Sequence, residues 1–269
     1  MNASNRHPLR RFTAASLGFC LLAGSLAPAL AQTCSKQSPP YRVALLELYT
    51  SEGCSSCPPA DKFVSGLRAA GVTAEQAVLL SMHVDYWNDI GWKDLFSKHE
   101  ITVRQRWLTG LAGGHTVYTP EIFMAGQELR GGVRGWSSGV PESVKRINSK
   151  PAQAEIHIAL GQLAGGSLPV DVSAKSAQKG QLYVALVENG LVTDVKSGEN
   201  SGVMLKHDYV VREWLGPFNL DGGGKSSNAF SRPIAVPSGA SSKNLGVAAF
   251  VQNDKGEVLQ ALSLPLCSG

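Results

Sequence analysis

The sequence predicts an α/β half followed by an all-β, sandwich-like half. Three observations carry this. The apolar run Val43 to Tyr49 leads into Cys54-Ser55-Ser56-Cys57, and an amphipathic stretch, Asp61 to Ala70, leads out of it. A second apolar run, Ala77 to Val84, follows, and a helix crossing between two such strands implies a parallel, right-handed βαβ unit. From Ala154 onward, short strands alternate with turns such as Gly165-Gly166, Glu188-Asn189-Gly190 and Asn253-Asp254-Lys255-Gly256, with no strong helical period. The expected division is residues 41–149 and 154–266, joined through Ser149 to Gln153, which contains Pro151.

Residues 1–31 read as a leader rather than as fold. Arg6, His7, Arg10 and Arg11 precede an apolar run, Phe12 to Leu30, that closes on Ala29-Leu30-Ala31, so cleavage is expected after Ala31. The run is short and contains Gly18, Gly24 and Pro28, which argues against an uncleaved membrane anchor. Arg10-Arg11-Phe12 fits a twin-arginine signal only loosely, which leaves the export route open. Loss of the leader removes three arginines and no acid, so the formal net charge falls from +4 to +1. Nothing then favours a nucleic-acid partner. The expected location is exported, periplasmic or secreted, with no stable membrane anchor after cleavage.

The elements follow in order. Tyr41 to Tyr49 is mostly apolar and suits the middle of a sheet. Pro58-Pro59 suits the first positions of a helix, where no N–H is missed, and Phe63, Val64, Leu67 and Ala70 recur at helical spacing before Gly71. The aromatic and acidic segment Asp85 to Asp94 reads as a structured loop ahead of a helix around Lys98 to Leu108. Beyond Val117-Tyr118-Thr119-Pro120, Glu121 to Met124 and Glu128 to Gly131 form a hairpin about Ala125-Gly126-Gln127. Glu142 to Ile147 reads as a helix with Pro141 near its start. In the second half, strands are expected at Ile156 to Leu160, Pro169 to Val172, Leu182 to Val187, Leu245 to Val251 and Leu259 to Leu266.

With Cys20 removed in the leader, Cys34, Cys54, Cys57 and Cys267 remain, and four cysteines allow three pairings. Cys54 and Cys57 are local partners, which leaves Cys34 and Cys267 for a long-range structural disulfide or as free thiols near the ends. For Cys54 and Cys57 three readings stand: a redox dithiol, a permanently closed disulfide, or a metal site. C-x-x-C spacing on one helical turn allows bridging, and a helix N-terminus favours thiolate over thiol, which suits exchange chemistry. Metal binding needs further ligands, and no second C-x-x-C or closely spaced His pair supplies them, so no metal is assigned. Glu52 works against the thiolate unless it turns to solvent. His83 and Asp85 read as hydrogen-bonding residues, Tyr86, Trp87 and Trp92 as a packed lid or a groove lining, and Lys206-His207-Asp208 receives no catalytic role.

The first half resembles the thioredoxin superfamily, with an element order most like the glutaredoxin core. The residues that carry this are the C-x-x-C between strand and helix and Thr119-Pro120 just before the hairpin. The chain as a whole resembles a family of uncharacterised secreted bacterial proteins with a thioredoxin-like domain, through Glu47 to Asp61, His83 to Trp87, Gly91 to Asp94 and Thr116 to Pro120. The resemblance implies an α/β thioredoxin-like domain ahead of the β half and a cis peptide at Pro120. Within the dithiol reading, Cys54 is the attacking cysteine because it lies nearer the exposed helix start, Cys57 resolves the mixed disulfide from within the first turn, and Thr119 and Pro120 present substrate-binding backbone to an extended strand. The resemblance also implies an exported thiol–disulfide oxidoreductase that uses no cofactor, with a thiol or disulfide substrate and a redox partner. The alternative is a non-catalytic binding module with a structural C-x-x-C disulfide. Gly53 and Ser55-Ser56 stand where thioredoxins carry Trp and Gly-Pro, so the direction of electron flow is not implied.

Overall fold

The structure, a computed structural model, describes residues 1–2 and 34–267. The expected leader and its cleavage point after Ala31 therefore lie, beyond residue 2, outside the described residues. Strands dominate what is described: β1 Cys34–Gln37, β2 Ala44–Thr50, β3 Ala77–His83, β4 Glu121–Met124, β5 Gln127–Glu128, β6 Ala154–Leu160, β7 Ser167–Ser176, β8 Gly180–Glu188, β9 Leu191–Asp194, β10 Met204–His207, β11 Val210–Leu220, β12 Ser226–Ala235, β13 Leu245–Gln252 and β14 Val258–Pro265. The α-helices are α1 Pro58–Gly66, α2 His99–Leu111 and α3 Gly132–Asn148.

The expected fold class, an α/β thioredoxin-like domain followed by an all-β sandwich-like domain, is corrected by this architecture. Strands of both halves form one eight-stranded mixed sheet, ordered β14-β13-β8-β11-β3-β2-β4-β5, so the chain is mostly β. β2 and β3 are parallel, as a crossover through α1 requires, and β4 and β5 add antiparallel beside β2. The free edge of β3 is taken by β11, through the pair Val210–Ser81, and β11 continues antiparallel along β8. Hydrophobic periodicity marks a strand and its buried face but says nothing of which distant strand completes its edge.

Alternation along the strands sets the layers. Leu45 and Tyr49 of β2, Tyr183 and Ala185 of β8 and Phe250 of β13 face Ile101 and Leu108 of α2. On the opposite face, Leu46 and Leu48 meet Val64 of α1 and Trp136, Val140 and Val144 of α3. At the far end that face, with Val184, Leu186 and Val247, packs on Ile156, Ile158, Val170 and Val172 of a four-stranded sheet, β1-β6-β7-β12. Each such large side chain contributes roughly 1.5–3 kcal/mol by leaving water. α3 starts ten residues before the expected Glu142 and carries Pro141 inside it, because the buried stripe of Trp136, Val140, Val144 and Ile147 holds the helix through the proline.

Three long-range ties close the fold. A disulfide links Cys34 and Cys267 across a separation of 233 residues, a loop whose closure is worth about 5 kcal/mol in the chain-entropy model. The β4–β5 turn meets the β13–β14 turn so closely that a Cβ on Gly126, at φ +86°, would lie 1.7 Å from the Gly256 carbonyl oxygen. Arg104 of α2 is buried against Glu47 of β2, its Nη2 donating to Oε2 at 3.0 Å, and both terminal nitrogens donate to Gln252 Oε1 of β13 at 3.1 Å. Its guanidinium lies 4.8–5.9 Å from the ring centres of Trp107, Tyr183, Trp214 and Phe250.

Removing one partner of such a pair strands the other charge. Arg104→Leu is expected to cost on the order of 3–5 kcal/mol, whereas pairing it with Glu47→Gln recovers part of the loss. Urea unfolding of the two variants checks this; equal losses would show that the ion pair is not what the site depends on.

Candidate functional site

β2 ends in a tight turn that presents the two cysteines. Cys54 N–H donates to Ser51 O and Cys57 N–H to Cys54 O, each at 3.2 Å, and Gly53 N–H donates to Ser51 Oγ at 3.1 Å. Cys57 then caps α1, with Pro58 and Pro59 as its first residues, and its carbonyl receives the Ala60 and Asp61 N–H groups. Cys54 and Cys57 form a disulfide, with Cα atoms 5.4 Å apart.

Thr119-Pro120 is brought beside this pair from the start of β4, and its peptide bond is cis. The Thr119 carbonyl oxygen lies 3.7 Å from Cys54 Sγ; a disulfide sulfur carries no hydrogen, so this is a contact that only the thiol form can turn into a hydrogen bond. Ser56 Oγ is 3.2 Å from the same sulfur, and Trp87 Nε1–H donates to Thr119 Oγ1 at 2.8 Å. Cys54, Cys57, Thr119 and Pro120 therefore share one locus, and Cys34 and Cys267 lie in a separate disulfide. Cys54 and Cys57 are both fully buried, while Ser55 and Ser56 between them are exposed. The sequence placed Cys54 at an exposed helix start; what it did not show is the loop over that start.

That loop, residues 195–203, joins β9 to β10. Asn200 Nδ2 donates to the carbonyls of Glu52, at 2.8 Å, and Cys54, at 3.0 Å. Glu199 accepts from Ser55 N–H at 3.0 Å, and Ser197 Oγ donates to Gly91 O.

Behind the cysteine turn lies a buried cluster of acids and imidazoles. Asp94 Oδ2 accepts from Glu52 N–H at 2.8 Å and pairs with His83 Nδ1 at 2.7 Å. Glu52 turns inward, accepting from Trp92 Nε1–H at 2.9 Å with Oε2, and its Oε1 lies 3.3 Å from His207 Nε2. The His83 and His207 rings are 5.0 Å apart, edge to face. Asp61 accepts from Thr50 Oγ1–H at 3.2 Å. Glu52 Oε1, Asp61 Oδ1, His83 Nε2 and both His207 nitrogens make no hydrogen bond. Among the described residues no group of three or more His, Cys, Asp or Glu is arranged to hold a metal.

Burial pushes the Asp61 carboxyl up to about 6, only partly offset by His207 and His83. Burial works against a proton on His83, but the Asp94 carboxylate outweighs it and the imidazole is raised. Asp94 is correspondingly held below the usual carboxylate range, its burial outweighed by His83 and by the Glu52 and Phe96 N–H groups. His83 therefore pairs with Asp94, while its near neighbour Asp85 accepts instead from Thr102 and pairs with His99. Sequence reasoning missed Asn200, Glu199 and His207; each sits in a β-half segment whose packing against the cysteine turn has no local signal.

A groove of about 1100 Å³ lies elsewhere, between α2 and the strands β8 and β11, lined by Trp107, Tyr183 and Trp214, and does not include the cysteines. No helix among the described residues is long and apolar enough to cross a membrane.

Asp61 gives this site a pH signature. The folded carboxyl keeps its proton to about 6 while the unfolded one loses it near 3.8. Unfolding releases a proton in that window, so stability falls as pH rises through it, by on the order of 3 kcal/mol at neutral pH. In thermal melts Asp61→Asn is expected to lose this fall. The further fall from Glu121, raised by burial to about 7, persists in both proteins; identical pH profiles would clear Asp61 of the effect.

Several comparisons bear on this geometry. No curated protein sequence matches the chain. Among solved structures, the X-ray crystal structure of a protein from Agrobacterium tumefaciens is 26% identical, with a TM-score of 0.59 over 85% of this chain and 96% of that one. HBP35 of Porphyromonas gingivalis is 16% identical, with a TM-score of 0.59 over 85% of this chain and 76% of that one, a likeness of fold alone. The family described as a protein of unknown function, DUF1223, matches residues 45–252, a span that holds the cysteine turn, Asp94, Thr119-Pro120, Asn200 and His207. The chain belongs to the DUF1223 family.

Proposed function

We propose that the protein is an exported thiol–disulfide oxidoreductase working through Cys54 and Cys57 on protein or small-molecule thiols. The observation that carries this is the disulfide at the N-terminus of α1 with the Thr119 carbonyl 3.7 Å from Cys54 Sγ. A substrate thiolate attacks Cys54 Sγ, the Cys54–Cys57 bond breaks, and Cys57 leaves as a thiolate that takes up a proton. A second substrate thiolate then attacks the substrate sulfur of the mixed disulfide; the substrate leaves oxidised and the protein holds a dithiol. A redox partner reoxidises that dithiol, and the same steps in reverse reduce a substrate disulfide. The helix N-terminus stabilises the Cys54 thiolate. Thr119 and Pro120 offer backbone for an extended substrate segment. Two disulfides support an oxidising compartment.

A second reading has its own observation. Both cysteines are fully buried, as in a structural disulfide on a binding module.

Single-cysteine variants separate the two. Cys54→Ser is expected to abolish exchange with a model peptide disulfide, and Cys57→Ser to accumulate mixed disulfides visible by mass spectrometry. Full activity in both variants would sink the oxidoreductase. Exchange by neither wild type nor variant favours the module.

A further inference from the structure

Glu199 and Asn200 occupy the backbone groups that an incoming chain would use. The Glu199 carboxylate satisfies the Ser55 N–H, and the Asn200 amide satisfies the Glu52 and Cys54 carbonyls. An acceptor and a donor set against the turn backbone of residues 52–55 are the two hydrogen-bonding functions that a polypeptide backbone also carries. The Asn200 side chain is a primary amide, with the donor and acceptor types of a peptide group and one N–H more.

The loop is internally bonded. Val195 N–H donates to Val203 O at 3.0 Å, Gly202 N–H to Val195 O at 2.8 Å and Val203 N–H to Asn200 O at 3.0 Å, so it closes on itself. Its strands, β9 and β10, form a two-stranded sheet hydrogen-bonded to neither larger sheet. Toward the aromatic segment it is held by the Ser197 hydroxyl on Gly91 O and by Gly198, where a Cβ would lie 3.1 Å from Trp92 Cβ. The cysteines of the turn it bonds have no exposed surface, although exchange requires a sulfur to be approached by a thiolate.

We propose that residues 195–203 act as an internal pseudosubstrate, with Glu199 and Asn200 standing in for a substrate backbone, so that an extended cysteine-containing polypeptide, rather than a small free thiol, displaces them to reach Cys54. This rests on the thiol–disulfide reading above. The chemistry is the opening step already given: the thiolate sulfur bonds to Cys54 Sγ, the disulfide bond breaks, and its electron pair leaves on Cys57, which takes up a proton.

The test measures the rate at which the oxidised protein's Cys54–Cys57 disulfide is opened at matched thiolate concentration. The probes are 2-mercaptoethanol, which has no peptide group, and a short unstructured peptide with one central cysteine. In wild type the peptide is expected to be faster. In the double variant Glu199→Ala with Asn200→Ala, the 2-mercaptoethanol rate is expected to rise at least about tenfold, since a cover open about a tenth of the time or less taxes every approach by that fraction. The peptide's advantage then collapses. Ser197→Ala, which frees the loop without touching the cysteine turn, is expected to move the same way by less, and hydrogen exchange at the Ser55 amide to quicken in Glu199→Ala. If the double variant misfolds, these two single variants decide.

An unchanged 2-mercaptoethanol rate in a variant that melts like wild type overturns the proposal, as does a wild type with no preference for the peptide. These are single openings of the disulfide, read whether or not the protein turns over a substrate. Absence of turnover with a released loop sinks the function and not the loop; turnover with unchanged opening rates sinks the loop and not the function.

Discussion

The pairing of Arg104 with Glu47 is the constraint on which the rest of the structure depends. Both side chains are buried, and two ions taken from water are stable only when attraction and further hydrogen bonds offset their desolvation. Glu47 supplies the charge from the central strand β2, Gln252 the remaining acceptor from β13, and four aromatic rings a favourable surround from α2, β8, β11 and β13. Those contributors come from both halves of the sequence. The pair thus fixes α2 on the sheet and makes the geometry of β2, and of the cysteine turn at its end, depend on the β half.

The cysteine site repeats this dependence on a smaller scale. β2 and α1 supply the turn, Thr119-Pro120 one wall, and Asn200 and His207 another. Glu52, which beside an exposed thiolate would oppose it, is turned into a pocket with Trp92 and His207. Its charge is thereby kept among buried partners rather than at the mouth of the site. That mouth is instead faced by Glu199, an exposed carboxylate held below its usual range by Ser55. A residue from the second half therefore sets the electrostatics at the first.

What was legible in the sequence was local. The strand into Cys54-Ser55-Ser56-Cys57, the proline-led helix, the β4–β5 hairpin and the apolar faces of β8 and β13 all follow from periodicity and turn chemistry within a few residues. Residues 188–244 were nearly silent. β11 carries a glycine and a proline with register shifts against β8, which breaks the alternation that announces a strand. His207 reads as an ordinary polar residue until the sheet places it against His83 and Glu52. Whether a buried histidine or a surface asparagine belongs to a site is decided by tertiary contacts, and these are written in no short window of sequence. The same holds for fold class: β2, β3 and α1 are as expected locally, and the error lay in closing them off as an α/β domain when the edge of β3 is completed from the other half.

The join between β3 and β11 is narrow. Only Val210 and Ser81 pair across it, helped by the Ser81 N–H to Tyr209 O and its hydroxyl to Asp208 O. Apart from the short β4–β5 pair, the other neighbours in the sheet share ladders of four to eight residue pairs. Backbone pairing across this seam is therefore a single rung, and the rest of the join is made by side chains: Arg104 with Glu47 and Gln252, Gln260 with the Val43 N–H, and Asn200 with the Glu52 and Cys54 carbonyls. The sheet is thus two laddered parts bonded to each other chiefly through side chains, so that a substitution at any of those residues falls on the seam rather than within a ladder. The β9–β10 hairpin leads into β11, so the loop that bonds the cysteine turn belongs to one side of this seam and the turn itself, at the end of β2, to the other.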